Sequence, residues 1–452
     1  MQTRAAMSGS ELKLPLAIMV SDDTAPRTEY LLKANDYFGL APEQVTILKQ
    51  EKVGCLIDNE ARLALDPTDK FNLLTKPHGH GDVHFLLHSS GTLKKWQQAG
   101  TKWVYFMQDT NSLVMKVLPA CLGVSKALSL QVNSVCVPRA PGEAIGCLMA
   151  LLHKNGSKMT VNVEYNQIDA LLKATVEERG DVCGEDGMSP WPGSINQLLF
   201  ALEPYLTNLD ATLGKMPEFV NPKYTDRSKT AFKAPTRLEC LMQDYPKSMP
   251  KDARVGFCTV KGALTFSPVK NNLAEARKKS GAGEPTHSAA SGEADYYAAA
   301  CETLSACGVR LPQPSTVSRA GVEVVDMPRV VIDPSFGLTL SEWKAKLPSA
   351  EKVSLAPGST LVLKGDLSGL CIESLTLQGA LVISLCPGAK VTLKSLKASN
   401  RGWSFAPLRE AEEASEALKI RGYTLHKDGQ RELRFDKPGE FVVDDSSGCA
   451  LL

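Results

Sequence analysis

The sequence predicts an α/β fold, an open and largely parallel sheet with helices on both faces, followed by a β-rich C-terminal unit. Three observations predict it. Short apolar runs alternate with segments of helical period through the first 320 residues. Several of those runs end in polar side chains, which is how the strand ends of an α/β sheet present a ligand site. Helical period then fades after Lys346, and residues 355–396 read as short alternating strands. Two domains are therefore expected, residues 1–320 and 321–452.

Residues 14–20 form an apolar run closed by Ser21, Asp22, Asp23 and Thr24, the pattern of a buried parallel strand with an acidic end. Residues 28–38 read as a helix stopped by Gly39, and 45–50 as the next strand, with Gln50 at its end. Lys76-Pro77-His78-Gly79-His80-Gly81-Asp82-Val83-His84 is expected to be a loop, because Pro77 holds Lys76 out of helical geometry. Val83, Leu86, Leu87, Leu93 and Trp96 then fall at helical spacing, with Gly100 as the stop. A glycine-rich loop entering a helix turns bare amide hydrogens toward a base edge or an anion. Gly79 and Gly81 have no side chains to keep a ring or a phosphate off the backbone. A tight turn with a surface histidine is the other reading of the same residues.

Residues 103–107 read as a strand delivering Gln108, Asp109, Thr110 and Asn111, and 159–163 as one delivering Glu164, Tyr165, Asn166 and Gln167. Pro190-Trp191-Pro192-Gly193 breaks the chain before a helix expected over 195–209. Residues 219–233 carry Asn221, Lys223, Lys229 and Lys233, and a short helix is expected over 235–245. Residues 263–270 read as a strand on which Pro268 holds Ser267 extended and Lys270 stands at the end. Residues 278–293, rich in Gly, Ser and Ala, read as a mobile excursion before a helix that contains Tyr296 and Leu304 and stops at Gly308. In the C-terminal part, Pro357-Gly358 before Leu361-Val362-Leu363-Lys364 is echoed 30 residues on by Pro387-Gly388 before Val391-Thr392-Leu393-Lys394. The echo suggests solenoid-like coils or a small stacked sheet with a packing or assembly role.

The net charge of +1 provides no bulk field for nucleic acid or an acidic membrane. Twelve cysteines without paired CxxC spacing read as reduced core or surface thiols of a cytoplasmic protein. No apolar run approaches membrane-spanning length, and the first ten residues are too short and polar for a signal peptide. The chain is therefore expected to be soluble, with no nucleic-acid partner and no stable membrane association. Cys449-Ala450-Leu451-Leu452 fits the C-a-a-X prenylation pattern, but the residues before it, Asp444 and Asp445 among them, are acidic and offer no polybasic second anchor.

Four side chains at these strand ends carry chemistry. The Gln50 amide can donate to and accept from a pyrimidine edge. Asp109 is the type of carboxylate that shares a magnesium ion with phosphate oxygens. Glu164 can accept from sugar hydroxyls, and Lys270 is a point charge fit for phosphate. Each is also what a solvated loop residue looks like; their recurrence at successive strand ends is the argument for a site.

Ser21-Asp22-Asp23-Thr24, Leu48-Lys49-Gln50-Glu51-Lys52-Val53, the histidine–glycine loop from Thr75 to His84, Gln108-Asp109-Thr110-Asn111 and Asn162-Val163-Glu164-Tyr165-Asn166-Gln167 follow one another in a distinctive order. So do Phe219-Val220-Asn221-Pro222-Lys223-Tyr224, Thr230-Ala231-Phe232-Lys233, Pro235-Thr236-Arg237-Leu238-Glu239-Cys240, Gln243-Asp244-Tyr245-Pro246-Lys247 and Ser267-Pro268-Val269-Lys270-Asn271-Asn272. On these runs the chain resembles the UDP-sugar pyrophosphorylases, the UTP-monosaccharide-1-phosphate uridylyltransferases of plants, algae and some protists. The resemblance implies a Rossmann-like nucleotidyltransferase sheet and a β-helix-like C-terminal domain. It implies the reversible, magnesium-dependent reaction of UTP with a sugar 1-phosphate to give a UDP-sugar and diphosphate. Glucose, galactose, xylose, arabinose and glucuronic acid 1-phosphates are the implied substrates. Carried over by motif, Gln50, Gly79 and Gly81 should meet the nucleotide, with Gln50 and Gly79 at uracil. His80 and Lys270 should lie near the phosphates as the catalytic pair, with Asp109 toward the nucleotide's Mg2+. Glu164, Asn196, Asn221 and Lys233 should line the sugar.

Two departures accompany the resemblance. Ser194 stands in Pro192-Gly193-Ser194-Ile195-Asn196 where plant-type members carry Asn, which shortens one potential sugar contact. The family's loop Gly-Gly-Leu-Gly-Glu-Arg-Leu-Gly has no counterpart in residues 1–13, so the sequence is expected to open near the second strand of the sheet, without the main triphosphate cradle. Three readings stay open: an active uridylyltransferase whose N-terminal segment is missing from this sequence or supplied by another chain, an inactive nucleotide-sugar-binding fragment or regulator, and a structural protein that keeps the scaffold.

Overall fold

The computed structural model describes residues 12–176, 178–408 and 414–447. The C-a-a-X residues lie outside these. The chain divides into two compact units. The first comprises Lys13–Gln108 and Ala120–Val260; the second contains Asp109–Pro119 and the chain from Lys261 onward.

Twelve strands are described in the first unit. They are β1 (Leu16–Val20), β2 (Val45–Lys49), β3 (Lys52–Leu56), β4 (Thr75–Pro77), β5 (Trp103–Phe106), β6 (Val132–Val137), β7 (Cys147–Leu152), β8 (Lys158–Val163), β9 (Gly193–Ala201), β10 (Glu218–Val220), β11 (Thr236–Cys240) and β12 (Val255–Thr259). The expectation of a largely parallel sheet is corrected here. Parallel pairing is confined to β1 with β2 and β6 with β12. β9 runs antiparallel to β5, β6 and β7, and the four-stranded sheet β10-β11-β3-β4 is antiparallel throughout. The result is a mixed α/β arrangement. Its centre was misjudged because residues 195–201 read as helix: Leu198, Leu199 and Phe200 form an unbroken apolar run, and period alone cannot tell a buried strand from a buried helix. The same ambiguity hid β6, all six of whose residues are buried; the helix expected over 235–245 is β11 followed by a tight helical turn from Met242.

The helices of this part are α1 (Ala25–Ala34), α2 (Asp82–Ser89), α3 (Thr92–Gln98), α4 (Leu118–Ala127), α5 (Tyr165–Thr175) and α6 (Leu202–Thr212). The single helix expected up to Gly100 is two, because Gly91 adopts φ +69° between α2 and α3. The core behind them is aromatic. Phe106, Phe200, Tyr205 and Tyr245 surround His84, with ring centroids 4.8–5.8 Å from it, and Leu87, Leu93, Val132 and Leu209 extend the cluster. Pairing of β9 with β6 shifts in mid-strand. Val135 faces Gln197 but Cys136 faces Ser194, leaving Ile195 and Asn196 as extra residues on β9. Asn196 takes φ +57°, a left-handed conformation that Asn tolerates better than most residues.

In the second unit, α7 (Gly262–Thr265), α8 (Leu273–Gly281) and α9 (Ala289–Cys307) come first. Residues 263–270 are thus a short helix and an irregular segment, not a strand. The expected excursion over 278–293 is the end of α8 and the start of α9. Ser288 caps α9 reciprocally with Ser291, and that local signal outweighs the glycine-rich composition. Gly308, at φ +102°, ends α9 as expected. β13 (Ser315–Arg319) and β14 (Val322–Asp326) form a hairpin, and the expected boundary at 320/321 falls at its turn.

Beyond it lie β15 (Arg329–Ile332), α10 (Leu340–Lys346), β16 (Val353–Leu355), β17 (Thr360–Gly365), β18 (Gly369–Ile372), β19 (Leu375–Gln378), β20 (Ala380–Leu385), β21 (Ala389–Ser399), β22 (Trp403–Pro407), α11 (Glu416–Arg421), β23 (Tyr423–Lys427), β24 (Arg431–Phe435) and β25 (Gly439–Asp444). β15-β17-β20-β24 form one parallel sheet, while β21 pairs in parallel with β18, β19 and β25. The inward residues Leu361, Leu381, Ile383, Leu375, Val391 and Leu393 are buried in one apolar core. The two Pro-Gly copies do not stack on each other, since β17 and β21 lie in different sheets. Partners such as Leu361 and Leu381, or Leu375 and Leu396, are about twenty positions apart, so the structural repeat is shorter than the sequence echo.

Candidate functional site

In the first unit the loop between β4 and α2 is pressed against the end of β11. The Gly81 N–H donates to the Cys240 carbonyl at 3.0 Å, and the Cys240 N–H lies 3.4 Å from the His78 carbonyl. A Cβ on Gly79, whose φ is +138°, would meet the Cys240 carbonyl oxygen at 2.4 Å, and one on Gly81 would meet Cys240 Sγ at 2.8 Å. The space that the glycines leave open is therefore filled by Cys240. Of the loop amides, the Gly81 N–H is spent on β11 and does not face a ligand.

The two flanking histidines hold Met242 from both sides. The Met242 N–H donates to His80 Nδ1 at 3.0 Å, which places the proton of a neutral His80 ring on Nε2. His84 Nε2 donates to the Met242 carbonyl at 3.0 Å, so His84 Nδ1 accepts from the Tyr205 hydroxyl at 2.6 Å. Burial lowers the His84 pKa from its ordinary 6.5 to about 4, which keeps the ring neutral. His84 is a structural member of the motif, whereas His80 lies at the loop tip. Gln50 follows β2, its N–H bonded to the Val20 carbonyl at 2.8 Å, and its side-chain oxygen is buried with no hydrogen-bond partner. Such an atom fits a donor on a ligand.

Glu164 stands at the N-cap position of α5, at the end of β8, without a side-chain capping bond, and Asn221 follows β10. The two line one cleft of about 80 Å³ with Tyr165, Asn166, Gln167, Phe219 and Val220. Burial and the Asp244 carboxylate push the Glu164 pKa up, while a hydrogen bond of 3.0 Å from Asn162 Nδ2 opposes them. Asn196 sits at the bulge with its side-chain oxygen buried and unpartnered. The residues lining the cleft do not include Asn196 or Lys233, and Lys233 is exposed.

Sequence reasoning assigned no role to Asp244 and Lys247, although both lie in a quoted run. They form an ion pair of 2.8 Å in which Asp244 is nearly buried. Burial raises the Asp244 pKa and Lys247 opposes the rise. Gln197 was also missed: both polar atoms of its buried side chain lack partners, and its strand had been read as helix.

In the second unit a backbone contact joins the segments that carry two expected residues, Asp109 and Lys270. The Val269 N–H donates to the Thr110 carbonyl at 2.9 Å. Asn111 secures this contact, donating to the Thr265 carbonyl at 2.9 Å and accepting from the Ser267 N–H at 3.0 Å. Asp109 and Lys270 flank this junction, both exposed. The Asp109 carboxylate takes no hydrogen bond or ion pair from the described residues. An uncommitted exposed carboxylate fits Mg2+, which keeps most of its waters and takes one or two carboxylates beside phosphate oxygens.

A family model for UTP--glucose-1-phosphate uridylyltransferase matches residues 1–137. A UDP-sugar pyrophosphorylase of Arabidopsis thaliana is 48% identical over 438 residues, which is 97% of this chain and 70% of that protein. One from Oryza sativa subsp. japonica is 47% identical over 424 residues, 94% of this chain and 68% of its own. A crystal structure from Entamoeba histolytica assigned to UDP-N-acetylglucosamine pyrophosphorylase aligns with a TM-score of 0.54 at 15% identity. It covers 79% of this chain and 80% of that one, and it bears on the fold alone. With the identity and coverage of the two plant relatives, the chain belongs to the UDP-sugar pyrophosphorylase family.

Proposed function

We propose that the chain catalyses reversible uridylyl transfer, UTP plus a sugar 1-phosphate giving a UDP-sugar plus diphosphate. The observation that supports this reading is the Thr110–Val269 junction, which joins the segment carrying Asp109 to the segment carrying Lys270. A sugar phosphate oxygen attacks the α-phosphorus of UTP in line. The new P–O bond forms as the bond to the bridging oxygen breaks, and diphosphate leaves with that electron pair. No covalent enzyme intermediate is needed, so the protein's task is positioning and charge neutralisation. Lys270 supplies positive charge to the transferring phosphoryl group, and His80 donates from Nε2 toward phosphate. Mg2+, when bound, would offset the charge of the phosphate oxygens, and Asp109 would hold it.

Gln50 takes the uracil edge, with Gly79 and Gly81 shaping the loop beside it. Glu164 and Asn221 take sugar hydroxyls in their shared cleft, and Asn196 and Lys233 are placed on the sugar side by motif. Broad sugar choice follows if few of these groups contact the variable C4 and C6 positions. We also read residues 321–452 as a β-helix-like domain with a packing role, supported by its parallel pairing and its repeat of about twenty residues. A cytoplasmic location is supported by free cysteines without a disulfide among the described residues. No described helix is long and apolar enough to cross a membrane.

The test is direct. The purified chain is incubated with UTP, Mg2+ and each sugar 1-phosphate in turn, and UDP-sugar and diphosphate are measured. Formation of both is expected, with kcat/KM lowered about 10²–10³-fold in Lys270→Ala. A fall of less than about fivefold would remove Lys270 from the transition state.

A further inference from the structure

Three side chains at the base of the glycine loop form a cluster that the transfer reaction does not use. His78, Asp82 and Cys240 each offer a donor atom, and these atoms lie within 4.8 Å of one another. His78 Nδ1 is 2.7 Å from Asp82 Oδ1, and Cys240 Sγ is 3.6 Å from His78 Nδ1 and 3.4 Å from Asp82 Oδ1. Tetrahedral zinc, with Zn–S of about 2.3 Å and Zn–N and Zn–O of about 2.0 Å, requires donor spacings of roughly 3.3–3.6 Å. Both sulfur spacings already meet this. The His78–Asp82 spacing is that of a hydrogen bond and must open by roughly half an ångström, which rotation of one carboxylate supplies.

The far side of the imidazole provides a second observation. His78 Nε2 is buried without a hydrogen bond, although a Glu218 oxygen approaches to 3.1 Å off the line that such a bond needs. With Asp82 accepting at Nδ1, a neutral ring carries its proton there, and Nε2 makes no hydrogen bond. A metal on Nδ1 moves that proton to Nε2, where Glu218 waits to accept it. A carboxylate behind a ligating histidine is the usual outer partner of zinc.

We propose that His78, Asp82 and Cys240 form a binding site for a zinc ion, backed by Glu218, that fastens the glycine loop to β11. Binding forms Zn–N, Zn–O and Zn–S bonds. The Cys240 thiol gives up its proton to solvent, and the His78 proton passes from Nδ1 to Nε2, so one proton is released per ion. Water completes the tetrahedron, and the partial exposure of His78 and Asp82, 16% each, leaves an entry path. A thiolate and an imidazole select zinc over the hard magnesium ion. Because binding releases the thiol proton, the site takes up metal better as pH rises.

The test uses metal alone, with no nucleotide or sugar, so its outcome is independent of the transferase reading. Co2+ is titrated into the full chain as a spectroscopic probe, and Zn2+ is competed against a chromophoric chelator. One ion per chain is expected, with a thiolate-to-cobalt charge-transfer band and a Zn2+-dependent rise in Tm. Cys240→Ser should abolish the band, and Glu218→Gln, which leaves all three ligands in place, should weaken Zn2+ about 10–100-fold. Absence of the band in the unaltered protein overturns the proposal whatever the variants do. A band of the same intensity in Cys240→Ser overturns it too, since another of the chain's cysteines would then be the ligand.

Discussion

The parallel strands of the second unit and the strands around the glycine loop of the first are both dense in buried side chains, but they bury different things. From β15 to β25 the interior is mainly leucine, isoleucine and valine. Among the described residues there, Ser384 Oγ is the buried side-chain polar atom without a partner. Around the loop and its neighbouring strands, Gln50, Asn162, Asn196, Gln197, Arg237 and Gln243 all hold such atoms. Each orphaned group costs about 1–3 kcal/mol, so several in one region mark a surface completed by something other than the chain itself. The difference separates a region built to persist from one built to receive.

Substitutions can break that contrast or sharpen it. Leu381→Ala in the parallel stack should cost about 2–5 kcal/mol of unfolding free energy while KM for UTP stays unchanged. Urea unfolding beside steady-state kinetics checks this, and a large change in KM would dissolve the distinction. His84 sets the next effect. Its pKa is about 4 when folded and 6.5 ordinarily, so between these values the unfolded chain binds more protons. Stability should therefore fall as pH drops from 6.5 toward 4, by up to about 3 kcal/mol. His84→Gln, measured by urea unfolding over the same range, should start less stable and lose most of that slope.

Gln50→Leu should raise KM for UTP about tenfold, worth about 1.4 kcal/mol, and leave stability equal or slightly higher because an orphaned oxygen is gone. A clear loss of Tm would instead make Gln50 part of the scaffold. Glu164→Gln should give the smallest change. A carboxyl whose pKa is raised by burial binds more protons folded than unfolded, so its contribution turns unfavourable as pH rises through that pKa. The variant should show a slight gain in stability at neutral pH, on the order of 1 kcal/mol or less, with a weakened sugar 1-phosphate KM. Thermal melts at acidic and neutral pH would read the sign.

The candidate site residues could be singled out before the fold was known. Gln50, Asp109, Glu164 and Lys270 stand out because amide, carboxylate and ammonium groups recur where apolar runs stop, and His80 because two glycines bracket it; those signals survive errors in naming the elements. Lys270 was found from an expected strand that is really a helix and an irregular segment, yet Pro268 and its neighbours still placed it at a turning point. What the residues could not show was pairing. β9 reads as helix because its apolar run has no two-residue alternation, and the antiparallel character of the main sheet was lost with it. Gln197 was lost for the same reason. The reason for Gly79 and Gly81 was also out of reach, since the atom that requires them belongs to Cys240, far along the chain.

The irregularity in β9 bears on how this sequence can vary. Two residues, Ile195 and Asn196, are interpolated opposite Val135 and Cys136. Because side chains alternate with a period of two, an even insertion leaves inside and outside unchanged on either side of it. An odd one inverts them. Deleting Asn196 alone would turn one end of β9 inside out, whereas removing Ile195 and Asn196 together would restore a plain strand with both faces intact. Length changes at this point are therefore constrained by parity, and tolerated variants should gain or lose residues here in pairs.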